Sequence, residues 1–550
     1  MEKIILAQLN PIPGNIEYNK NKVINSIKEA CGENVELIIF PSMFLYGYHK
    51  KDMLIRFPYL IDQIKDALLE IKDSKFTAKV LISYPEIINN KLSENFVLIS
   101  NGEINTVKDF VINEIKFEII TEKDFEKSEF KMDSNCLILV ENIISRTNSE
   151  FNRKNKIKEF IKKQNKKLIY INQVGAQDEL IYDGISCFFD ENANLLAQAC
   201  AFKEEKLAVD YYKGGNISNL PAGIENPINL NEFSLNYEGD LDRTYQTIIL
   251  AIRDYFYKNG FKKAVLGLSG GLDSTVCAVL LADALGKENV LGISMPSKLT
   301  SFESKNDAKE LADNLGINFI EVAIKEFQDL FGQKFDNIFD EVDKNWQDRS
   351  KIAYTQDNIQ ARSRAMMIWG VANEYAQTLP IATSDKSEFY MGYATVNGDM
   401  SGGFAPICDV CKTKLFALAR WMNKNREQKN AIPEAIIEKP PGAELAINPK
   451  TGKTLLAEEA LMPYEFLDEV IYRIENMHQS IKDMMKEEFL YEKKNIVTIE
   501  EKQAWLEKFF RRMNAALYKG YIMPPGPIVD ICSNNKTEYK QPIVSKIKHY

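Results

Sequence analysis

Histidine is scarce in this chain, with only His49, His478 and His549 in 550 residues. A centre built on several imidazoles is hard to assemble from so few. The C-x-x-C of Cys408 and Cys411 has no second pair with which to complete a zinc site or a redox framework. Eight cysteines in all, scattered through apolar segments such as those around Cys200 and Cys277, read as small buried residues in a reducing compartment. An excess of basic charge is also missing: 69 Lys and Arg against 78 Asp and Glu leave a net charge of −9. That balance argues against a general nucleic-acid or membrane binder, which needs concentrated positive surface. There is no uninterrupted apolar run of about 18 residues and no charged-then-apolar leader, so a soluble, unexported, cytoplasmic protein is expected.

What is present is an ordinary globular composition, 45% hydrophobic and 27% charged, in a chain long enough for two domains. The most informative stretch is Ala264 to Ser274, A-V-L-G-L-S-G-G-L-D-S. A buried-strand run, Ala264 to Leu266, enters a Ser269-Gly270-Gly271 turn, and an apolar-rich helical stretch from Thr275 to Leu285 follows. Adjacent glycines admit an anionic group close to the backbone, and the amides of a helix N-terminus point at it. The loop, Gly267, Leu268, Ser269, Gly270, Gly271, Leu272, Asp273 and Ser274, is thus suited to phosphate. The Asp273 carboxylate is suited to the Mg²⁺ that accompanies a nucleotide. A bare Gly-Gly pair is common in plain turns, but the whole string S-G-G-L-D-S after a strand is far more specific. It resembles the pyrophosphate loop of ATP pyrophosphatases and differs from the G-x-x-x-x-G-K-[ST] loop of kinases and GTPases.

Along the chain, residues 2–9 predict a strand, Glu17 to Ala30 a helix and Val35 to Pro41 a strand, the start of a layered α/β domain. Residues 211–235, rich in Gly, Pro and Asn, predict a linker between a domain at 1–210 and another at 236–550. In the second, a helix from Asp240 to Asn259 leads into the loop. Strands at Val290 to Met295, Phe319 to Ile324 and Pro380 to Thr383 then alternate with helices at Phe302 to Leu315 and Gln356 to Ala376. Such alternation implies a parallel sheet with ligands at the carboxyl ends of its strands.

Two sets of motifs carry a family resemblance. A-Q-L-N-P-x-x-G-N near the start, I-I-F-P, Gly47-Tyr48, and above all the run Ile171 to Gly184 resemble the nitrilase-type glutaminase domain of glutamine-dependent NAD synthetases. Met295-Pro296-Ser297, D-N-I-Q-A-R at Asp357 to Arg362, T-S-D-K-S-E at Thr383 to Glu388, Gly392 to Phe404, Lys412-Thr413, Glu438 to Leu445 and Pro524 to Pro527 resemble the synthetase domain of that family. The resemblance implies an N-terminal nitrilase-like α-β-β-α sandwich followed by a Rossmann-like ATP pyrophosphatase domain. It implies ATP-dependent amidation of deamido-NAD to NAD through an adenylate, with Mg²⁺, and a homo-oligomer. The rivals are a ligase acting on nicotinate mononucleotide and a non-catalytic nucleotide-binding subunit.

By the same resemblance Asp273 and Glu388 are metal ligands and, with Lys412, the catalytic set. Thr383, Lys412 and Lys439 join the phosphate loop around ATP, and Asn358, Arg362, Glu388, Asp399 and Lys519 take the dinucleotide. Asn358 and Arg362 lie four apart on one helix face, so both can reach one ligand. Alone, each of these lysines would read as a solvated surface charge, and Thr383 as a plain strand residue. Two departures stand out. Asp385 replaces an asparagine, losing an amide donor. The glutaminase triad of Glu, Lys and Cys is expected to be lost: Ser42 stands in F-P-S where the family has F-P-E, Thr121 in I-T-E-K is the best match to I-C-E-D, and the lysine-bearing segment is deleted between Gly102 and Lys116, with Lys108 a remnant out of context. Hydroxyls with no base make poor replacements for a thiolate, so free ammonia is the expected nitrogen donor.

Overall fold

The computed structural model describes residues 3–32, 34–47, 52–89, 91–121, 124, 133–217, 232–346, 354–442 and 455–530. The chain divides into two compact units, Met1–Pro227 and Ile228–Tyr550. Most of the expected linker, residues 218–231, lies outside the described residues, as do Tyr48, Glu122, Lys123, the stretch Ala443 to Leu445 and everything after Asp530. Among the described residues no helix is long and apolar enough to cross a membrane.

The first unit stacks two sheets between helices. β1 (Lys3–Gln8), α1 (Ile16–Cys31), β2 (Leu37–Ile39), α2 (Tyr59–Asp73), β3 (Lys79–Ile88), β4 (Lys91–Ser100) and β5 (Glu103–Thr106) come first. β6 (Asp109–Ile112), β7 (Ile115–Ile120), β8 (Cys136–Val140), α3 (Ser149–Gln164) and β9 (Lys167–Ile171) follow. The unit closes with the hairpin β10 (Val174–Gln177) and β11 (Leu180–Asp183), then β12 (Cys187–Phe189), β13 (Leu195–Gln198), β14 (Glu205–Asp210) and β15 (Gly214–Gly215). One sheet runs β15-β14-β1-β2-β3-β4-β5 and the other β13-β12-β9-β8-β7-β6. The period of two sorts side chains between layers. On β8, Cys136, Ile138 and Val140 face the other sheet's Leu6, Leu37 and Ile39, while Leu137 and Leu139 meet Ile157 and Phe160 of α3. The outer face of the first sheet packs on α1 and α2. The result is the α-β-β-α sandwich. Gly214–Gly215, within the range expected as linker, pairs with β14 and so extends the sheet.

The Ile171 to Gly184 run earns its composition by enclosing Gln8. Gly184 has φ +73°, and a Cβ there would lie 2.3 Å from the Gln8 amide carbon, which donates through Nε2 to the Cys200 and Lys203 carbonyls at 2.6 and 2.9 Å. Cys136 is completely buried on β8, a core strand between β7 and β9, and burial pushes its thiol far above the usual range.

The second unit is built on four parallel strands in the order β18-β17-β16-β19. α4 (Leu241–Asn259) precedes β16 (Lys263–Gly267). Then come α5 (Leu272–Leu285), β17 (Val290–Ser294), α6 (Phe302–Leu315), β18 (Asn318–Glu321), α7 (Lys325–Val342), α8 (Thr355–Glu374) and β19 (Thr378–Pro380). Four further helices concern the site: α9 (Lys386–Met391), α10 (Lys412–Asn425), α11 (Tyr464–Met477) and α12 (Ile499–Gly520). The order places a switch point between β16 and β19, the place where open α/β sheets take ligands. The fourth strand is shorter and earlier than expected. Pro380, lacking an N–H, sits on an edge strand where this is tolerated; Ile381 still donates its N–H to the Val265 carbonyl of β16 at 2.9 Å and bridges to Phe404, and Thr383 lies beyond the strand, ahead of α9. α7 lies in a stretch for which no helix was expected.

Candidate active site

The loop after β16 is ordered by its own serines. Gly271 N–H donates to Ser269 Oγ at 3.2 Å, Ser269 N–H donates to Ser274 Oγ at 3.2 Å, and Ser274 Oγ donates to the Gly271 carbonyl at 3.2 Å. Gly270 has φ +76°, and a Cβ there would stand 2.2 Å from the Ser304 carbonyl oxygen, so the turn passes tightly against α6 and excludes any side chain. Gly267 ends β16, Leu268 to Gly271 form the turn, and Leu272, Asp273 and Ser274 open α5, whose N-cap Gly271 supplies no side-chain cap. The first-turn amides of α5 are thus left for a ligand.

Three elements bring charge to this loop. Asp273 comes from α5, while Asp385 is the N-cap of α9, accepting from Glu388 N–H at 2.9 Å. Lys412, the first residue of α10, reaches back so that its Nζ lies 2.6 Å from Asp273, 2.6 Å from Asp385 and 3.4 Å from Glu388. Its backbone is fixed too. Lys412 N–H donates to Ser387 Oγ at 2.9 Å, Ser387 donates to Asp468 of α11, and Asp468 accepts from Thr413 N–H at 2.8 Å, placing a carboxylate at the positive end of α10. The Tyr464 ring lies 5.4 Å from the ammonium.

Burial pushes the Asp385 carboxyl up to about 7, with Lys412 pulling the other way. Burial also raises Glu388 well above the carboxylate range. For Lys412 burial opposes the charge, but Asp273, Asp385 and Glu388 outweigh it and hold the ammonium well above its usual value. Oxygens of Asp273, Asp385 and Glu388 lie within 4.8 Å of one another. Three carboxylate oxygens, ionised when a cation lies among them, are the hard donor set that Mg²⁺ takes, so these residues can hold one.

The expected nucleotide residues gather in one cleft. Loop residues from Gly267 to Ser274 line it together with Thr383, Glu388, Lys412 and Lys439; Gly270 itself backs onto α6. Lys439 Nζ contacts Ser304 Oγ and lies 3.7 Å from Asp307. The expected dinucleotide residues converge on the loop Gly392 to Asp399. Lys519 of α12 donates to the Gly392 and Ala394 carbonyls at 2.8 and 2.6 Å, Asn358 accepts from Thr395 Oγ1 at 2.9 Å, Asp399 accepts from Thr395 N–H at 2.6 Å, and Arg362 donates to the Val396 carbonyl at 3.2 Å. Burial raises Asp399 and lowers Lys519. Arg364, two residues past the motif arginine, lines the cleft and donates to the Met295 carbonyl at 3.1 Å. The motif D-N-I-Q-A-R marks Arg362 alone and ends before Arg364. Nothing in the local sequence marks Tyr464 or Asp468.

In the first unit, Ser42 and Thr121 are not brought together. Ser42 Oγ donates to Glu94 at 2.7 Å, and the Ser42 carbonyl accepts from Asn142 Nδ2 at 3.1 Å. Thr121 donates instead to Asp124 at 2.9 Å. Among the described residues the segment that contacts the Ser42 carbonyl is the one following β8, while Thr121 stands at the end of β7. Lys108 is exposed, on the link between β5 and β6.

A doubly wound sheet with a serine- and glycine-rich phosphate loop, an acidic triad and an enclosed lysine at its switch point defines an ATP pyrophosphatase-type synthetase domain, here joined to a nitrilase-like sandwich. The NAD synthase family profile matches residues 244–510. The glutamine-dependent NAD(+) synthetase of Aquifex aeolicus is 31% identical, the alignment covering 99% of this chain and 100% of that one; that of Thermotoga maritima is 31% identical over 85% and 88%. Among solved structures, the glutamine-dependent NAD+ synthetase of Acinetobacter baumannii in complex with ADP superposes with TM-score 0.69 at 25% identity, covering 99% of this chain and 98% of that one. The enzyme from Cytophaga hutchinsonii shares the fold with TM-score 0.80 at 20% identity over the same shares. The chain belongs to the glutamine-dependent NAD synthetase family.

Proposed function

We propose that the chain amidates deamido-NAD⁺ to NAD⁺ with ATP, using free ammonia as nitrogen donor. The observation that carries the ligase reading is Lys412, held between Asp273, Asp385 and Glu388 beside the phosphate loop. A nicotinate carboxylate oxygen attacks the α-phosphorus of ATP, the bond to the bridging oxygen breaks, and pyrophosphate leaves with its electron pair. The α5 amides and Lys412 face the charge that accumulates on the departing oxygens. Mg²⁺ held by Asp273 and Glu388 would supply Lewis acidity and charge neutralisation. Ammonia then attacks the acyl carbon, AMP leaves with the bonding pair, and a proton is released. The loop Gly392 to Asp399, braced by Asn358, Arg362 and Lys519, presents the dinucleotide subsite.

The nitrogen-donor reading rests on the first unit. The contact of Asn142 with Ser42 supports aligning Leu139-Val140-Glu141-Asn142 with I-C-E-D, an alignment that has Val140 rather than Thr121 at the nucleophile's position. Val140 is 4% exposed and carries no nucleophilic atom. Ser42 in turn replaces the general base, and its hydroxyl is already engaged by Glu94.

The test of the ligase reading is to supply ATP, Mg²⁺, ammonium and deamido-NAD⁺ and to measure AMP, pyrophosphate and NAD⁺. Equal amounts of the three are expected from the native chain, and a loss of about 10²-fold or more from Asp273→Ala or Glu388→Ala. Unaltered pyrophosphate release by both variants would remove the metal assignment.

A further inference from the structure

Tyr464 opens α11 with its side chain 4% exposed, yet its hydroxyl has no hydrogen-bond partner. Among the described residues it is the one cleft-lining side chain that carries a buried polar atom without a partner. Its ring lies 5.4 Å from the Lys412 ammonium, and the residue lines the same cleft as Asp273, Glu388 and Lys412, which puts it at the charged end. A phenol withdrawn from water and left unpaired is costly in the ligand-free protein, and such a group is retained where a ligand atom completes it. Its neighbours narrow the choice of ligand atom. The carboxylates leave it unpaired, while Lys412 and the phosphate loop bring anionic oxygens into the same space.

We propose that Tyr464 is a further substrate-contacting residue of this site, its hydroxyl donating to a phosphate oxygen of the nucleotide or of the pyrophosphate it releases. The inference rests on the ligase reading above. The ring, beside the Lys412 ammonium, sets the distance; the hydroxyl supplies a neutral donor where a second fixed cation would bind pyrophosphate too tightly to release it. Nothing local in the sequence announces this role, because the residue reaches the site only through the packing of α11 against α10.

Tyr464→Phe removes the hydroxyl and keeps the ring. In ATP–pyrophosphate exchange with deamido-NAD⁺ present, the variant is expected to be about tenfold to a hundredfold slower at saturating ATP, the range for a hydrogen bond to a charged group. Calorimetry with inorganic pyrophosphate and with AMP, each with Mg²⁺, identifies the phosphate: weaker pyrophosphate binding assigns the leaving group, weaker AMP binding the α-phosphate. The ligand-free Tm is expected to hold or rise, because no hydrogen bond is lost. A fall in the ligand-free Tm, or native exchange rates and affinities for both probes in the variant, overturns the inference alone. No exchange by the native chain overturns the ligase reading and the inference with it.

Discussion

Lys412 is the residue on which the site's charge balance turns. Its side chain is 1% exposed and faces Asp385, at 0%, and Glu388, at 18%. Removing one partner from a buried ionic group leaves the others uncompensated, at about 3–5 kcal/mol. Lys412→Met is therefore expected to lower stability by an amount of that order and to cut pyrophosphate release by about 10²-fold or more. Chemical denaturation checks the first and product assay the second; a variant of native stability would mean that the carboxylates are neutral without the lysine. At this scale the sequence is informative where a cleft residue lies inside a contiguous motif, as Asp273 and Glu388 do. It is silent where the partner arrives from a distant helix, as Asp468 and Tyr464 do. The two strands near the Thr121 match differ in character: β7, I-K-F-E-I-I, carries Lys116 and Glu118 and is partly buried, while β8, C-L-I-L-V, is apolar and buried throughout, and its last residue offers no nucleophile for a motif match to find.

At the scale of the element, α9 is six residues long, too short to persist by its own hydrogen bonds. It is held by ion pairing inside the core. Lys386 Nζ lies 2.6 Å from Glu475, 3.2 Å from Asp409 and 3.5 Å from Asp530, and Tyr390 donates to Glu475 at 2.5 Å. Burial pushes Glu475 up to about 7 against an ordinary 4.5, with Lys386 pulling down and Asp409 and Asp530 adding to the rise. Between those values the unfolded chain has lost a proton that the folded one keeps, so stability should fall as pH rises from about 4.5 to about 7. The shift caps the effect at about 3 kcal/mol. Glu475→Gln should flatten that slope, as followed by Tm across the window; an unchanged slope would place the titration elsewhere. α9 itself was not legible from hydrophobic periodicity, because its buried residues include Lys386 and Ser387. The strands around it were, since Ala264 to Leu266 is a run of uninterrupted burial.

For the whole molecule, both halves were readable as a class because each rests on an apolar pattern of fixed period, two in the sandwich strands and 3.6 in helices such as α4 and α6. The nitrogen donor is the property that belongs to the molecule entire. With deamido-NAD⁺, ATP and Mg²⁺ supplied and contaminating ammonia removed, ammonium is expected to support NAD⁺ formation and glutamine is not. NAD⁺ and glutamate forming together from glutamine at a comparable rate would locate a working hydrolytic centre in the first unit. Cys136 is not a substitute nucleophile, because its thiol is sealed in the sandwich core and held protonated.

The ammonium of Lys412 already occupies the space between Asp273, Asp385 and Glu388. Such an ammonium would compete with a free divalent ion for the same carboxylate oxygens. Asp273 and Glu388 would hold an ion brought in by a triphosphate, whose own oxygens would then offer the Lys412 ammonium a partner in place of these carboxylates. On that footing the resting cleft would take a divalent ion more readily together with a nucleotide than alone, because one tethered ammonium pairs with all three carboxylates.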